Sequence, residues 1–122
     1  MLNSDGSCER ILLCALIILL LSVEGNAHAV LTESDPATDA VVKGPHLTLT
    51  LKFNVRIDAA RSQLYLLLPD GRTVALHPKP DMASNIISAE ASNVMPGKYK
   101  LVWQVLASDG HITRGEIPFS AR

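Results

Sequence analysis

The chain has 122 residues, of which 48% are hydrophobic, 4% are aromatic and 19% are charged, and its formal net charge is −1. A chain of this length forms one small domain with a modest core, which argues against a large multi-substrate enzyme. Its basic residues form no cluster, so the sequence lacks the positive patch that nucleic-acid binding requires.

Residues 1–27 have the organisation of a secretory signal peptide. An apolar run spans residues 11–23 and is followed by Glu-Gly-Asn-Ala, which ends in a small residue at Ala27. This run is shorter than the roughly 20 residues that a membrane-spanning helix needs, so we predict a cleaved signal and a periplasmic protein. An uncleaved anchor is the alternative, because Arg10 is the one basic residue before the apolar run.

The cleavage position decides whether His28 begins the mature chain. Cleavage after Ala27 leaves a mature domain of residues 28–122, whose first residue offers an α-amine and an imidazole. These two nitrogens can close a chelate ring on one metal ion. Cleavage after Ala29 is the alternative, since Ala27-His28-Ala29 is also a small-x-small triplet, and it would remove His28.

Both cysteines, Cys8 and Cys14, lie in the predicted signal peptide. The mature domain therefore offers neither a disulfide nor a thiolate metal site. Its metal chemistry is restricted to histidine, carboxylate, methionine and backbone groups.

Short apolar runs alternate with turn residues along the mature chain, which is typical of an all-β domain. The clearest strand spans residues 98–107, where alternate residues from 99 to 105 share one apolar face. The predicted strands are residues 28–33, 47–53, 63–68, 73–76, 85–91, 98–107 and 112–120. About seven short strands without a helical period predict a β-sandwich or a barrel.

Asp109 and His111 are candidate metal ligands because residues i and i+2 of an extended backbone point to the same side. Together with the amine and imidazole of His28, they supply three nitrogens and one oxygen, a donor set that suits tetragonal Cu(II). The two ends of the chain must meet for this, as the first and late strands of a sandwich often do. Taken alone, Asp109-Gly110 is the sequence of an ordinary turn, and a metal-free turn is the alternative.

Three segments resemble motifs of the CopC family of periplasmic copper-binding proteins. Residues 28–37 are similar to the family's opening, a leading His followed by a Ser-x-Pro-Ala turn. Residues 97–105 are similar to its Gly-x-Tyr-x-Val-x-Trp-x-Val strand, and residues 108–119 to its Ser-x-Asp-x-His-x-x-x-Gly ending. The likeness spans essentially the whole mature domain.

The resemblance implies an Ig-like or cupredoxin-like Greek-key β-sandwich of about seven strands. It implies a carrier or buffer in copper homeostasis or resistance, not an enzyme, that binds one Cu(II) ion per chain through His28, Asp109 and His111. It further implies a monomer that passes copper on, in some cases to a membrane importer of the CopD type. Trp103 would pack near the copper site and report binding by quenching of its fluorescence.

Two departures from the family pattern affect the expected metal specificity. Some members carry a Glu ligand in a Phe-Ser-Glu pattern, whereas this chain has Val55 in that place. Some also have a methionine-rich loop for Cu(I), whereas residues 66–82 offer His77 and Met82 as candidate ligands. A Cu(I) site generally needs several thioether ligands, so the sequence predicts a protein that binds Cu(II) only.

Two other functions are left open by the sequence. One is a secreted β-sandwich interaction module without a metal, because sandwich folds host many unrelated functions. The other is a copper oxidase that uses the same amine–imidazole chelate, which is disfavoured because so small a domain shows no recognisable substrate cleft. A tetragonal Cu(II) signal with nitrogen coupling would exclude the first, and oxygen consumption by the reduced, copper-loaded protein would support the second.

Overall fold

The computed structural model describes residues 28–122, which form nine β-strands. The predicted signal peptide lies outside the described residues. The strands are β1 (Leu31–Asp35), β2 (Val41–Val42), β3 (Leu47–Phe53), β4 (Ile57–Leu67), β5 (Thr73–Leu76), β6 (Lys79–Pro80), β7 (Ile86–Ala91), β8 (Gly97–Ala107) and β9 (Ile112–Ala121). Within residues 28–122 there is no helix long and apolar enough to cross a membrane.

The strands form two sheets that enclose the core. The four-stranded sheet has the order β1-β3-β7-β6, and the five-stranded sheet has the order β2-β9-β8-β4-β5. Neighbouring strands are antiparallel except for β2, which runs parallel to β9. The chain passes repeatedly from one sheet to the other, so β1 and the β8–β9 hairpin lie in different layers. The predicted all-β Greek-key sandwich is confirmed.

Alternating side chains of β8 form the centre of the core. Tyr99, Leu101, Trp103 and Val105 are all buried, which confirms the apolar face predicted for this strand. From the opposite sheet, Phe53 at the end of β3 packs edge to face against Trp103, with ring centroids 5.2 Å apart. Aromatic pairs of this geometry contribute about 0.5–1.5 kcal/mol beyond the area they bury, so this contact joins the two sheets.

Most of the predicted strands are confirmed, and those at residues 47–53 and 73–76 have the predicted bounds. β2 and β6 were not predicted, because two residues are too few to show an alternation. The first predicted strand, residues 28–33, is displaced to β1. The N–H of Val30 bonds to the side chain of Asn54 instead of a neighbouring backbone carbonyl, so regular pairing begins only at the next residue.

The strand predicted at residues 63–68 is part of the longer β4, which begins well before it. The register of β4 with β8 shifts between Asp58 and Gln63. At this irregularity the hydroxyl of Ser62, which is 5% exposed, donates to the carbonyl of Asp58 at 2.7 Å and accepts from the N–H of Leu106 at 3.2 Å. The hydroxyl completes the pairing where the backbone ladder is interrupted, and the interruption hides the strand's first half from a period-two pattern.

Candidate metal centre

The turn between β8 and β9 carries two of the three candidate ligands. β8 ends at Ala107 and β9 begins at Ile112, so residues 108–111 form a short hairpin loop. Gly110 has a φ of +90°, which favours glycine, and its N–H donates to the carbonyl of Ala107 at 2.9 Å. The Asp-Gly pair therefore does form a turn. Because the glycine takes the left-handed conformation, Asp109 and His111 on either side of it need not do so, and their side chains can serve as ligands.

Asp109 and His111 contact each other directly within this loop. The Oδ1 atom of Asp109 accepts from the backbone N–H of His111 at 3.0 Å, and its Oδ2 lies 3.1 Å from His111 Nδ1. The backbone hydrogen bond is the main cause that holds the pKa of Asp109 below its usual range, against an opposing effect of desolvation. Asp109 is thus ionised at neutral pH, as a carboxylate ligand must be. The two side chains converge as expected, although a turn produces the convergence instead of an extended strand.

His28 reaches the same loop from the other end of the described chain. Its imidazole lies edge-on to that of His111, with ring centroids 5.3 Å apart and planes inclined by 78°. The next residue, Ala29, is buried at 3% exposure, whereas the side chain of Val30 is 55% exposed. The structure therefore places the three candidate ligands at one end of the sandwich, next to the loop of residues 108–111.

The three side chains are close together but do not form a finished coordination sphere. Among residues 28–122, no group of three or more His, Cys, Asp or Glu side chains is arranged to hold a metal ion as it stands. The carboxylate of Asp109 is engaged by Nδ1 of His111, so a metal must either replace that contact or bind His111 through Nε2. The side chains of His111 and Asp109 are 57% and 32% exposed, which leaves them room to change rotamer.

The indole of Trp103 lies on the core side of β8, against Gly115 of the neighbouring strand β9. A Cβ atom at Gly115 would overlap Cζ2 of the indole and lie 2.8 Å from Nε1. Within the described part of the chain, Nε1 of Trp103 and Oγ1 of Thr113 are buried without a hydrogen-bond partner. The absence of a side chain at Gly115 is therefore what allows the indole to occupy this position.

The remaining candidate ligands lie on other parts of the surface. His77 is exposed, and neither methionine of the described residues is buried: Met82 is fully exposed and Met95 is 64% exposed. His46 is exposed before β3, and its Nε2 contacts Oε2 of Glu90 at 2.7 Å. A groove of about 650 Å³ runs along β1, and none of the three candidate ligands lines it.

Asn54 was overlooked in the sequence, where it stands in the place of Ser in the family's Phe-Ser-Glu pattern. Asn54 accepts from the N–H of Val30 through Oδ1 at 2.7 Å and donates its own N–H to the carbonyl of Val30 at 3.0 Å. No local signal in the sequence indicated this role, because the partner residue lies 24 positions away along the chain. The next residue, Val55, is half-buried and packs against the core, so the place of the family's additional Glu is apolar here.

A family model described as the CopC domain matches residues 31–122. The chain belongs to the CopC family. The match covers all nine strands and includes Asp109 and His111, and it begins shortly after His28. The resemblance inferred from the sequence motifs is therefore confirmed.

Individual relatives agree with this assignment. Protein YobA of Escherichia coli strain K12 is 30% identical over 123 residues, which cover 96% of this chain and 99% of that protein. Copper resistance protein C of Xanthomonas campestris pv. juglandis is 27% identical over 111 residues, or 84% of this chain and 87% of that protein. The crystal structure of CopC from Methylosinus trichosporium OB3b superposes with a TM-score of 0.72 and 25% identity, covering 77% of this chain and 93% of that one.

Proposed function

We propose that this CopC-family protein is a periplasmic Cu(II) carrier or buffer that acts in copper homeostasis or resistance. It holds one Cu(II) ion per chain through the α-amine and imidazole of His28, the carboxylate of Asp109 and the imidazole of His111. The proposal is carried by one observation: the rings of His28 and His111 lie 5.3 Å apart while Asp109 contacts His111. The name of the Xanthomonas relative, a copper resistance protein, supports copper as the ligand.

The donor atoms suit Cu(II) in kind and in number. Three nitrogens and one oxygen favour a tetragonal Cu(II) site, and a chelate ring from the first residue of the mature chain supplies two of those nitrogens. Asp109 is already ionised, whereas the amine and the imidazoles must be neutral to bind a metal. Binding therefore releases protons, and the copper affinity falls as the pH drops.

A carrier role agrees with the exposure of the ligands. The side chain of His111 is 57% exposed, so an acceptor protein can approach the ion and exchange ligands with it. An oxidase would instead need a concave site that holds a substrate beside the metal. In this role the protein acts as a monomer, and a membrane importer of the CopD type is one acceptor that fits.

The test is a Cu(II) titration of the exported protein, followed by EPR and by the fluorescence of Trp103, the only tryptophan of the chain. We expect saturation at one equivalent, a tetragonal signal with nitrogen coupling, and quenching of the fluorescence. His111→Ala should weaken binding at least ~100-fold, because even residues that only support a ligand contribute about 10- to 100-fold. His77→Ala, which removes an exposed histidine away from the loop, is the matched control and should bind like the parent.

Two results would contradict the proposal: a parent protein without the tetragonal signal, or a His111→Ala variant that binds Cu(II) as tightly as the parent. Either result would favour a metal-free interaction module, in which the hydrogen bond from His111 to Asp109 only stabilises a turn. Oxygen consumption by the reduced, copper-loaded protein would instead indicate an oxidase.

A further inference from the structure

We propose that Asn54 is a positioning residue for the copper site, because it fixes the segment that carries His28 beside the β8–β9 loop. The inference rests on the proposed function, since it concerns how one ligand of that site is held. It assigns a role to a residue that follows the last position of β3 and lies in neither of the two ligand-bearing segments.

The contact consists of two hydrogen bonds on one residue. The N–H of Val30 donates to Oδ1 of Asn54 at 2.7 Å, and the N–H of Asn54 donates to the carbonyl of Val30 at 3.0 Å. Val30 is thus held on both sides at a position two residues after His28. A backbone bonded at both its N–H and its carbonyl has little freedom to rotate, so the preceding residues are restrained as well.

The side chain of Asn54 replaces its own backbone carbonyl in this pairing. In a regular antiparallel ladder, two opposed residues exchange both N–H···O=C bonds through their backbones. Here the N–H of Val30 is directed to the amide oxygen instead, while the chain turns away after Asn54 towards β4. Because the side-chain oxygen of Asn54 takes the place of a backbone carbonyl, hydrogen bonding between β3 and the amino-terminal segment continues for one residue beyond the end of the sheet.

Other restraints on this segment are few. β1 pairs with β3 at Leu31 and Phe53, and the register then shifts at once between Leu31 and Glu33. The side chain of Val30 is 55% exposed, so apolar packing does not fix it, and Ala29 buries only a methyl group. The two bonds of Asn54 are therefore the main directional restraint on the backbone next to His28.

Asn54 itself is attached to a rigid part of the fold. The preceding residue, Phe53, is fully buried and packs against Trp103. Its N–H donates to the carbonyl of Asn85 at 2.9 Å, and its carbonyl accepts from Nδ2 of Asn85 at 2.8 Å. A ligand held through such a support needs less reorganisation when the metal binds, which raises affinity without any added contact to the metal.

The test compares Asn54→Ala with the parent in the full exported chain. We expect Asn54→Ala to lower the Cu(II) affinity about 10-fold, the scale of residues that orient a ligand, and to alter the nitrogen coupling in the EPR spectrum. In the metal-free protein, the amide of Val30 should lose its protection from hydrogen exchange. Asn54→Asp keeps an acceptor oxygen at the same distance and should retain that protection.

A control variant, and a repeat of the test in a protein that lacks the His28 imidazole, separate a positioning role of Asn54 from a general loss of stability. Thr48→Ala removes an exposed hydroxyl that bonds to Glu90 near the start of β3, and it should leave copper binding unchanged. In a His28→Ala background, Asn54→Ala should cost less affinity than in the parent, because its effect passes through His28.

The outcomes are distinguishable. If the parent binds Cu(II) and Asn54→Ala binds it equally well, or if the loss is the same with and without the His28 imidazole, this inference is wrong and the proposed function stands. If the parent does not bind Cu(II), the proposed function itself fails and this inference fails with it.

Discussion

The imidazole of His28 lies edge-on to that of His111, with ring centroids 5.3 Å apart, although the two residues come from opposite ends of the described chain. No local feature of the sequence brings them together. The pairing of β1 with β3 places the first, and the β8–β9 hairpin in the other sheet places the second. The candidate site is therefore a product of the whole topology.

The proposed chelate makes a prediction about the first residue of the mature protein. The intact mass of the protein recovered from the periplasm should correspond to a chain that begins at His28, because only then are its α-amine and imidazole both available. A mass that corresponds to a start at Val30 would remove this ligand entirely. Asp109 and His111 alone would then be too few for a tight Cu(II) site, and the interaction module would become the better explanation.

The contact between Asp109 and His111 predicts an acid-dependent part of the stability of the metal-free protein. The backbone N–H of His111 holds the pKa of Asp109 below its ordinary value, so the folded state binds this proton less readily than the unfolded state. The stabilising contribution is present above about pH 3.9 and is lost as the pH falls through the lower, folded-state pKa.

Thermal unfolding followed by circular dichroism, in the presence of a chelator, measures this contribution. The Tm of the parent should exceed that of Asp109→Asn at neutral pH, and this difference should shrink below about pH 4. Asp39→Asn, which removes an exposed carboxylate on another loop, controls for net charge. If the Tm difference between the parent and Asp109→Asn stays the same far below about pH 4, the ionised carboxylate of Asp109 does not stabilise the fold.

The packing of Trp103 on Gly115 predicts that Gly115→Ala is destabilising. The new methyl group would overlap the indole, and overpacking of a buried site typically costs about 1–3 kcal/mol of the free energy of unfolding. Urea unfolding measures the loss, and the emission of the single tryptophan should shift as its ring is displaced. Gly71→Ala is the control: nothing lies within 4 Å of its added methyl group, so only the strain of its φ of +89° remains and the emission should not move.

The hydroxyl of Ser62 predicts a second stability effect, within the β4–β8 pairing. Ser62→Ala removes the acceptor of the Leu106 N–H, and a buried N–H without a partner destabilises a protein by about 1–3 kcal/mol. The urea midpoint should fall accordingly, and the Leu106 amide should exchange faster. Ser92→Ala, at an exposed position, should stay within about 0.5 kcal/mol of the parent. Equal midpoints for the two variants would show that the hydroxyl does not support the irregular pairing.

The sequence predicted the features that repeat locally and missed those made by single long-range bonds. The alternation of residues 47–53 and 98–107 marks β3 and β8, because a strand with one buried face repeats every two residues. The convergence of Asp109 and His111 is equally local, but the turn at Gly110 produces it and not the extended backbone assumed from their spacing.

The roles of Asn54 and Ser62 could not be read from the sequence in the same way. Asn54 bonds to a residue 24 positions away, and Ser62 to one 44 positions away. An Asn or a Ser in a polar stretch fits a surface loop equally well, so only the assembled sheets identify its partner. The same holds for β2, whose two residues pair with the distant β9.

The location of the candidate ligands in different layers of the sandwich has a consequence for when copper can be captured. His28 precedes the edge strand of one sheet, whereas Asp109 and His111 connect the two last strands of the other. If the proposed site and the predicted export are both correct, a chain that is still being exported would expose its first residue before its last hairpin, and it would offer only the two proposed nitrogen donors of His28. A completely folded domain would present all four proposed donors, and the bound ion would then link its two sheets. Copper would thus bind fully only to molecules that have completed folding, and the copper-loaded form would be more stable against unfolding than the metal-free form.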